Sequence, residues 1–242
     1  MAAKRDITEI VFGLIDMMEQ LNERSDIVLL NAHVFPPADA GEISSAEDAI
    51  GHSLDDDIRL FYKETDGLQI RWIFKNNKRY NPHEHTKSDE SFSHLEPLTE
   101  EFFFDGCINI LPLRQTFTDI DWRDRIWFDN DEGKQIGFID SDYDQLFIKQ
   151  HLRPFDLYGT TSCMAFFTGS SRKELPVILL QDYYLDFTTS RVTNFTSYLE
   201  FLLANWGSTK QRYKTYSEIN GHQKLILNTP AEYWNETNRF IL

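Results

Sequence analysis

The strongest constraint on the fold is the order in which the spacing of apolar residues changes along the chain. From Asp6 to Asn22 apolar side chains recur at helical spacing, which predicts an amphipathic helix. Short strand-like runs follow one another from Leu68 onwards, and helical spacing returns near Thr193. Helices, then a meander of strands, then a helix is typical of an α+β domain with a mostly antiparallel sheet flanked by helices. We therefore predict a single domain over residues 1–242.

Capping signals divide the stretch between the first helix and the first clear strand. A Ser-x-x-Glu capping box at 44–47 predicts a short helix that ends near Gly51. A second helix is predicted to begin at Ser53 and to end at Gly67, because glycine readily adopts the left-handed conformation past a helix end. The strand LQIRWIF, residues 68–74, follows at once.

Short strands are predicted for most of the following segment, after a polar loop over 76–96. The clearest is a hairpin in which RIWFD and KQIGFID flank a turn ending at Gly133, a residue that suits a positive φ. The other predicted strands are Cys107–Leu113, Gln145–Lys149, Met164–Thr168, Pro176–Leu180 and Tyr184–Phe187. The last helix starts near Thr193 and is predicted to stop at Gly207.

The charge balance narrows the classes of partner. The chain has 24 basic and 39 acidic residues, a formal net charge of −15. Such a surface repels nucleic acid phosphates and anionic membranes, so neither is an expected partner. It favours a basic protein partner, because complementary charge speeds encounter and helps to select the partner. The alternative interpretation is that the acidity only provides solubility.

The sequence also predicts the compartment. No apolar run reaches the roughly 20 residues needed to cross a bilayer, and acidic residues interrupt the N-terminal segment where a signal peptide would be apolar. We therefore expect a soluble cytoplasmic protein. In that reducing compartment Cys107 and Cys163 are expected to be small core residues.

Motifs for catalysis are missing from the sequence. It contains neither a G-x-S-x-G motif nor a glycine-rich phosphate loop, and Ser170-Ser171 lies in a predicted turn. The acidic pairs near residues 129–133 and 140–144 do not match the calcium-loop pattern. We predict no catalytic residue, no cofactor and no metal, and a hydrolase or metal enzyme using His83 and His85 stays an alternative hypothesis.

A surface with acidic and aromatic residues is the candidate binding site. Around the predicted hairpin, strand alternation would turn the rings of Trp122, Trp127, Phe128, Phe138 and Tyr143 inward and many carboxylates outward. The alternative interpretation is that these carboxylates belong to an ordinary solvated sheet face without a partner. The predicted partner-binding residues are Asp119, Asp121, Asp129, Asp131, Glu132, Asp140, Asp142 and Asp144.

Three segments share a pattern with a known family. The first, residues 54–72, combines a short helix, the aromatic pair Phe61-Tyr62 and an Asp-Gly turn ahead of a strand. The second is the strand CINILPL with the aromatic-rich meander after it, and the third, Val177 to Gly207, contains closing strands and a terminal helix. Together they resemble the SUKH superfamily, which includes a yeast cell-wall assembly regulator and many bacterial immunity proteins. Leu54-Asp55 departs from the Leu-Pro that many members have at the helix start.

The resemblance carries expectations about function. It spans about residues 43–207 and leaves the N-terminal helix 6–22 and a C-terminal extension 208–242 unexplained. It implies a single α+β domain without catalytic residues that acts by binding, in bacterial relatives usually by blocking a toxin, often a nuclease. A nuclease is basic because it holds phosphates, so an acidic inhibitor suits it. The alternative is a regulatory or scaffold module like the yeast relative, which would bind signalling proteins.

Overall fold

The computed structural model of the chain describes residues 6–78, 80–81, 104–122, 133, 135–158, 162–180, 192–209, 216–219 and 222–225. These residues form six helices: α1 (Ile7–Glu23), α2 (Ala40–Ile50), α3 (Asp56–Glu64), α4 (Leu113–Phe117), α5 (Gln145–His151) and α6 (Phe195–Ala204). The strands of the main sheet are β1 (Ile27–Val34), β2 (Leu68–Phe74), β3 (Gly106–Ile110), β6 (Leu152–Leu157), β7 (Cys163–Phe167), β8 (Val177–Leu180) and β9 (Val192–Thr193). Two separate hairpins are formed by β4 (Gln135–Phe138) with β5 (Ser141–Asp144) and by β10 (Tyr216–Ile219) with β11 (His222–Leu225).

The main sheet has the strand order β1-β2-β3-β6-β7-β8-β9, and every neighbouring pair is antiparallel. Each strand therefore lies beside the strand before it within the sheet, and the hairpin β4–β5 is inserted between β3 and β6. This architecture confirms the predicted α+β class with a mostly antiparallel sheet flanked by helices.

One face of the sheet is covered by helices α1, α2, α3 and α6. The side chain of Asp6 caps α1 by accepting a hydrogen bond from the Thr8 amide at 3.0 Å. The helix then buries one stripe against the sheet and its helical neighbours, as the sequence predicted. That stripe consists of Ile7, Ile10, Val11, Leu14, Met17, Met18 and Leu21.

The opposite face of the sheet is covered by α5, the hairpin β4–β5 and the segment around Trp122. Because both faces are covered, the central strands β3, β7 and β8 are buried along their whole lengths. This explains why their sequences are continuous apolar runs rather than alternating ones. Cys107 and Cys163 are both free and buried in these strands, which confirms their predicted role as core residues.

A buried carboxylate joins the two halves of the sheet. Asp156 on β6 is fully buried. Its carboxylate accepts a hydrogen bond from the backbone amide of Asn109 at 2.8 Å and one from the Tyr198 hydroxyl at 2.5 Å. The side chain of Asn109 in turn donates to the Leu157 carbonyl at 3.1 Å and accepts from the Gln69 amide at 3.0 Å. The network connects β2, β3, β6 and α6 at the point where β3 and β6 share one pair of ladder residues, Ile110 and Asp156.

Several predicted boundaries were wrong. Helix α2 begins four residues before the predicted capping box, because Asp39 and Glu42 form the real box: each side chain accepts from the other residue's amide. It ends at Gly51, as predicted. Helix α3 does not extend to Gly67, because Thr65 caps it. Gly67 has a φ of 97°, and a Cβ there would lie 2.4 Å from the Ile110 carbonyl oxygen.

Two segments have a different secondary structure from the predicted one. The predicted strand Gln145–Lys149 is helix α5, because Asp144 caps it by accepting from the Leu146 amide at 2.8 Å. The predicted strand Cys107–Leu113 stops at Ile110, and α4 follows Pro112. Strands β1, β6, β9, β10 and β11 were not predicted.

Other predicted elements agree with the structure or lie outside the described residues. Strand β2 has the predicted limits, and β7, β8 and α6 lie within a residue or two of theirs. Gly133 has a φ of 84°, as its predicted turn requires. The first strand of the predicted hairpin, RIWFD, and the strand Tyr184–Phe187 lie outside the described residues.

Removing the Asp156 carboxylate is expected to destabilise the folded chain. Asp156→Ala leaves the buried Tyr198 hydroxyl and the Asn109 amide without this acceptor, so we expect a loss of about 3 kcal/mol in the free energy of unfolding. Tyr198→Phe removes a single hydrogen bond to the same carboxylate and should cost about 1.5 kcal/mol. Urea denaturation of both variants measures the difference. Equal losses would contradict the joining role of Asp156.

Candidate binding surface

The described members of the predicted acidic surface lie on the layer that covers the α5 side of the sheet. Asp119, Asp121, Asp140 and Asp142 are exposed, and Asp144 is partly buried. The predicted residues Asp129, Asp131 and Glu132 lie outside the described residues, as do Trp127 and Phe128. Trp122 and Phe138 are buried in one core cluster and Tyr143 packs against it, so these rings face inward.

Asp119, Asp140 and Asp144 are engaged within the chain. Asp119 accepts a hydrogen bond from the guanidinium of Arg114 at 3.1 Å, and Asp144 caps α5. Asp140 accepts hydrogen bonds from the Ser171 amide and from the hydroxyls of Tyr143, Ser170 and Ser171. These contacts give the three side chains a structural role that the sequence alone did not reveal.

Asp140 holds a turn that is strained. Ile139, which precedes it between β4 and β5, has a φ of 62°, a left-handed conformation that is unfavourable for a β-branched residue. The guanidinium of Arg172 donates to the Ile139 carbonyl at 3.1 Å. Partial burial acts to raise the pKa of Asp140, but the hydrogen bonds from Tyr143, Ser170 and Ser171 outweigh it and lower the pKa. The clamp between residues 139–140 and 170–172 therefore keeps Asp140 charged.

The contribution of this clamp to stability is tested by comparing Asp140→Asn with the same substitution at the neighbouring Asp142. The amide is a weaker acceptor than the carboxylate, so we expect a loss of about 1 kcal/mol in unfolding free energy. Asp142→Asn is the matched control, because among the described residues Asp142 has no hydrogen bond or ion pair; its effect should stay within about 0.5 kcal/mol. Thermal unfolding of both variants gives the comparison, and similar stability would argue against the clamp.

The helical layer on the other face holds a denser negative charge than the predicted surface. Residues 6–66 contain 15 acidic and three basic side chains. Both arginines among the three are neutralised by ion pairs: Arg24 with Asp26 at 2.6 Å, and Arg59 with Glu47 at 2.6 Å. This layer is harder to recognise from the sequence because its carboxylates are not interleaved with aromatic residues. A running count of charge along the chain would have found it.

A cleft of about 340 Å³ lies where the N-termini of α3 and α6 meet. Its lining includes Asp55, Asp56 and Asp57. Asp55 accepts from the Leu175 amide at 2.6 Å, and the Thr196 hydroxyl donates to Asp57 at 2.5 Å. Burial raises the pKa of Asp55, although the Leu175 amide acts in the opposite direction. These carboxylates stabilise the positive end of the α3 dipole, which accounts for them without a ligand.

Asp66 is a partly buried carboxylate with a raised pKa. Its side chain accepts from the Leu113 amide at 2.7 Å and thereby joins the turn before β2 to the start of α4. Burial raises its pKa to about 6, against the opposing effect of that amide. A raised carboxyl pKa favours the folded state below its unfolded value of 3.8, and this contribution is lost as the pH rises to about 6.

Asp66→Asn is therefore expected to change the pH dependence of stability. The amide oxygen still accepts from Leu113 but does not ionise, so the variant should be more stable than the parent at pH 7 by on the order of 1 kcal/mol, after allowance for solvent screening. The difference should vanish near pH 4. The control is Asp48→Asn, an exposed change of equal charge in the same layer. Urea unfolding from pH 4 to 7 is the measurement, and parallel curves for parent and Asp66→Asn would refute the expectation.

Among the described residues no group of three or more histidine, cysteine, aspartate or glutamate side chains could hold a metal ion. His83 and His85 of the metal hypothesis lie outside the described residues. None of the described helices is both long enough and apolar enough to span a membrane.

Comparison with known proteins gives no family assignment. No family model matches the chain, and no characterised protein matches it in sequence.

Proposed function

We propose that the chain is a non-catalytic binding module of the bacterial immunity type. It binds a basic, nuclease-type toxin domain in the cytoplasm and blocks its active site. The observation that carries the proposal is the concentration of negative charge in the helical layer, 15 acidic against three basic side chains in residues 6–66. A layer of this kind attracts and orients a positively charged protein surface.

The helical layer is stable enough to present this charge in a fixed arrangement. Arg59 donates to Glu47, and the Leu54 amide donates to the same carboxylate at 3.0 Å, so α2 and α3 are held together. Thr8 on α1 donates to Glu64 on α3 at 3.4 Å. Preorganised charges lose little entropy on binding, which favours affinity.

The resemblance to the SUKH superfamily supports the same proposal from a different side. Three of the residues that carry it, Leu54, Phe61 and Tyr62, are buried. Buried residues specify the scaffold and leave the exposed surface free to differ between members. The partner must therefore be found by the chemistry of the surface, not from the shared residues.

The test is a pull-down with the full chain as bait from its source cells, followed by an activity assay. We expect a basic nuclease domain whose capture falls at least about tenfold between 50 and 500 mM salt. Its nuclease activity should disappear at one equivalent of the purified chain. An unrelated protein of similar isoelectric point serves as the control bait.

Other outcomes point elsewhere. Recovery of signalling proteins alone would favour the regulatory or scaffold module. A captured nuclease that stays active with excess chain bound would contradict the blocking role.

A further inference from the structure

The outward face of α1 combines charge and an exposed ring in a single stripe. Helical spacing places Glu9, Phe12, Asp16, Glu19 and Glu23 opposite the buried side of the helix, and all five are exposed. Phe12 is 57% exposed, more than the other exposed large apolar residues described, Leu146 at 48% and Val34 at 36%. The stripe is about 21 Å long at 1.5 Å per residue.

The carboxylates toward the C-terminal end of this stripe oppose the stability of their own helix, whereas Glu9 in the first turn favours it. Glu19 and Glu23 are four residues apart, so they repel one another on the helix surface. They also lie at the negative end of the helix dipole, and the last turn of α1 contains no basic residue. Within the described part of the chain, none of the four carboxylates takes part in an ion pair or a hydrogen bond. An external positive charge would relieve all of these costs.

The stripe is also unsuited to the other occupants that a negative surface attracts. A single metal ion binds ligands that converge on one point, whereas these side chains extend along four turns of a helix. An exposed phenylalanine gives an apolar contact that no ion needs. It matches the aliphatic stem or the guanidinium of an arginine, which packs well on an aromatic ring.

We propose that this face of α1 is the docking surface for the basic protein partner, with Phe12 as the apolar anchor and the four carboxylates as its charged rim. The inference rests on the proposed function and adds the location and chemistry of the interface. The stripe fits within the roughly 800 Å² that each partner contributes to a standard interface. An apolar anchor beside a polar, solvent-exposed rim is the usual arrangement of a protein interface.

Photo-crosslinking from defined positions tests the location. The probe is p-benzoylphenylalanine, placed in the full chain at Phe12 or, as matched controls, at the exposed apolar positions Leu146 and Val34. After irradiation in source cells, we expect a product from position 12 whose crosslinked peptide is rich in lysine and arginine. The product should be lost in the Asp16→Lys, Glu19→Lys double variant. A product mainly from 146 or 34, or none from any position, would overturn the inference.

Charge reversal on α1 should lower the affinity for the partner and raise the stability of the chain. Binding is measured with the purified partner that the crosslinking identifies. The double variant Asp16→Lys, Glu19→Lys should bind it at least about tenfold more weakly than the parent, and Phe12→Ala about fivefold more weakly. The same double reversal should raise the melting temperature by about 2 °C, because it relieves repulsion near the C-terminal end of α1. The control is Glu174→Lys, an exposed charge reversal outside α1 and outside the acidic layer of residues 6–66; compared with Glu19→Lys alone, it should keep parental affinity.

The two proposals fail in different ways. If a basic partner inhibited by the chain binds the α1 variants as tightly as the parent, the docking surface is wrong and the function stands. If the partner that crosslinks to position 12 has no nuclease activity, the docking surface is supported and the immunity role is contradicted.

Discussion

A buried carboxylate between two parts of a sheet has to be stabilised by the groups around it. Asp156 meets this requirement with the Asn109 amide and the Tyr198 hydroxyl, so its charge orients one residue of β3 and one of α6. The same contacts join the face covered by helices to the strands that support the hairpin β4–β5. Burial, reinforced by the Asp156 charge, also raises the pKa of the Cys163 thiol, which keeps that cysteine protonated and unreactive.

The parts of the fold that could be predicted from sequence are those whose apolar spacing is long and regular. Helix α1, strand β2 and helix α6 have such spacing, and their limits were close. Helix α5 was missed because seven residues are too few to separate helical from strand spacing, and its start depends on the capping side chain of Asp144. Asp156 lies in a short apolar run, but aspartate is so seldom buried that its position could not be inferred.

The binding surface was harder to predict than the fold, since sequence shows which side chains are charged but not which are already paired. Asp140 and Asp119 are acidic in sequence yet bonded to neighbouring parts of the chain. The exposed carboxylates of α1 have no such partners among the described residues. They were overlooked because one apolar stripe and one polar face are typical of any amphipathic helix, so the polar face by itself suggested no binding role.

The strand order also has a consequence for how the molecule folds. Strands β6, β7 and β8 are joined by short connections, whereas β1, β2 and β3 are separated by α2, α3 and a segment of about 30 residues. Loop closure entropy favours the pairing of β6, β7 and β8 first, and the N-terminal strands should add later across the single pair Ile110–Asp156. The helical layer would then be completed last, so a ribosome-bound chain would present its acidic N-terminal segment before that segment has a sheet to pack on.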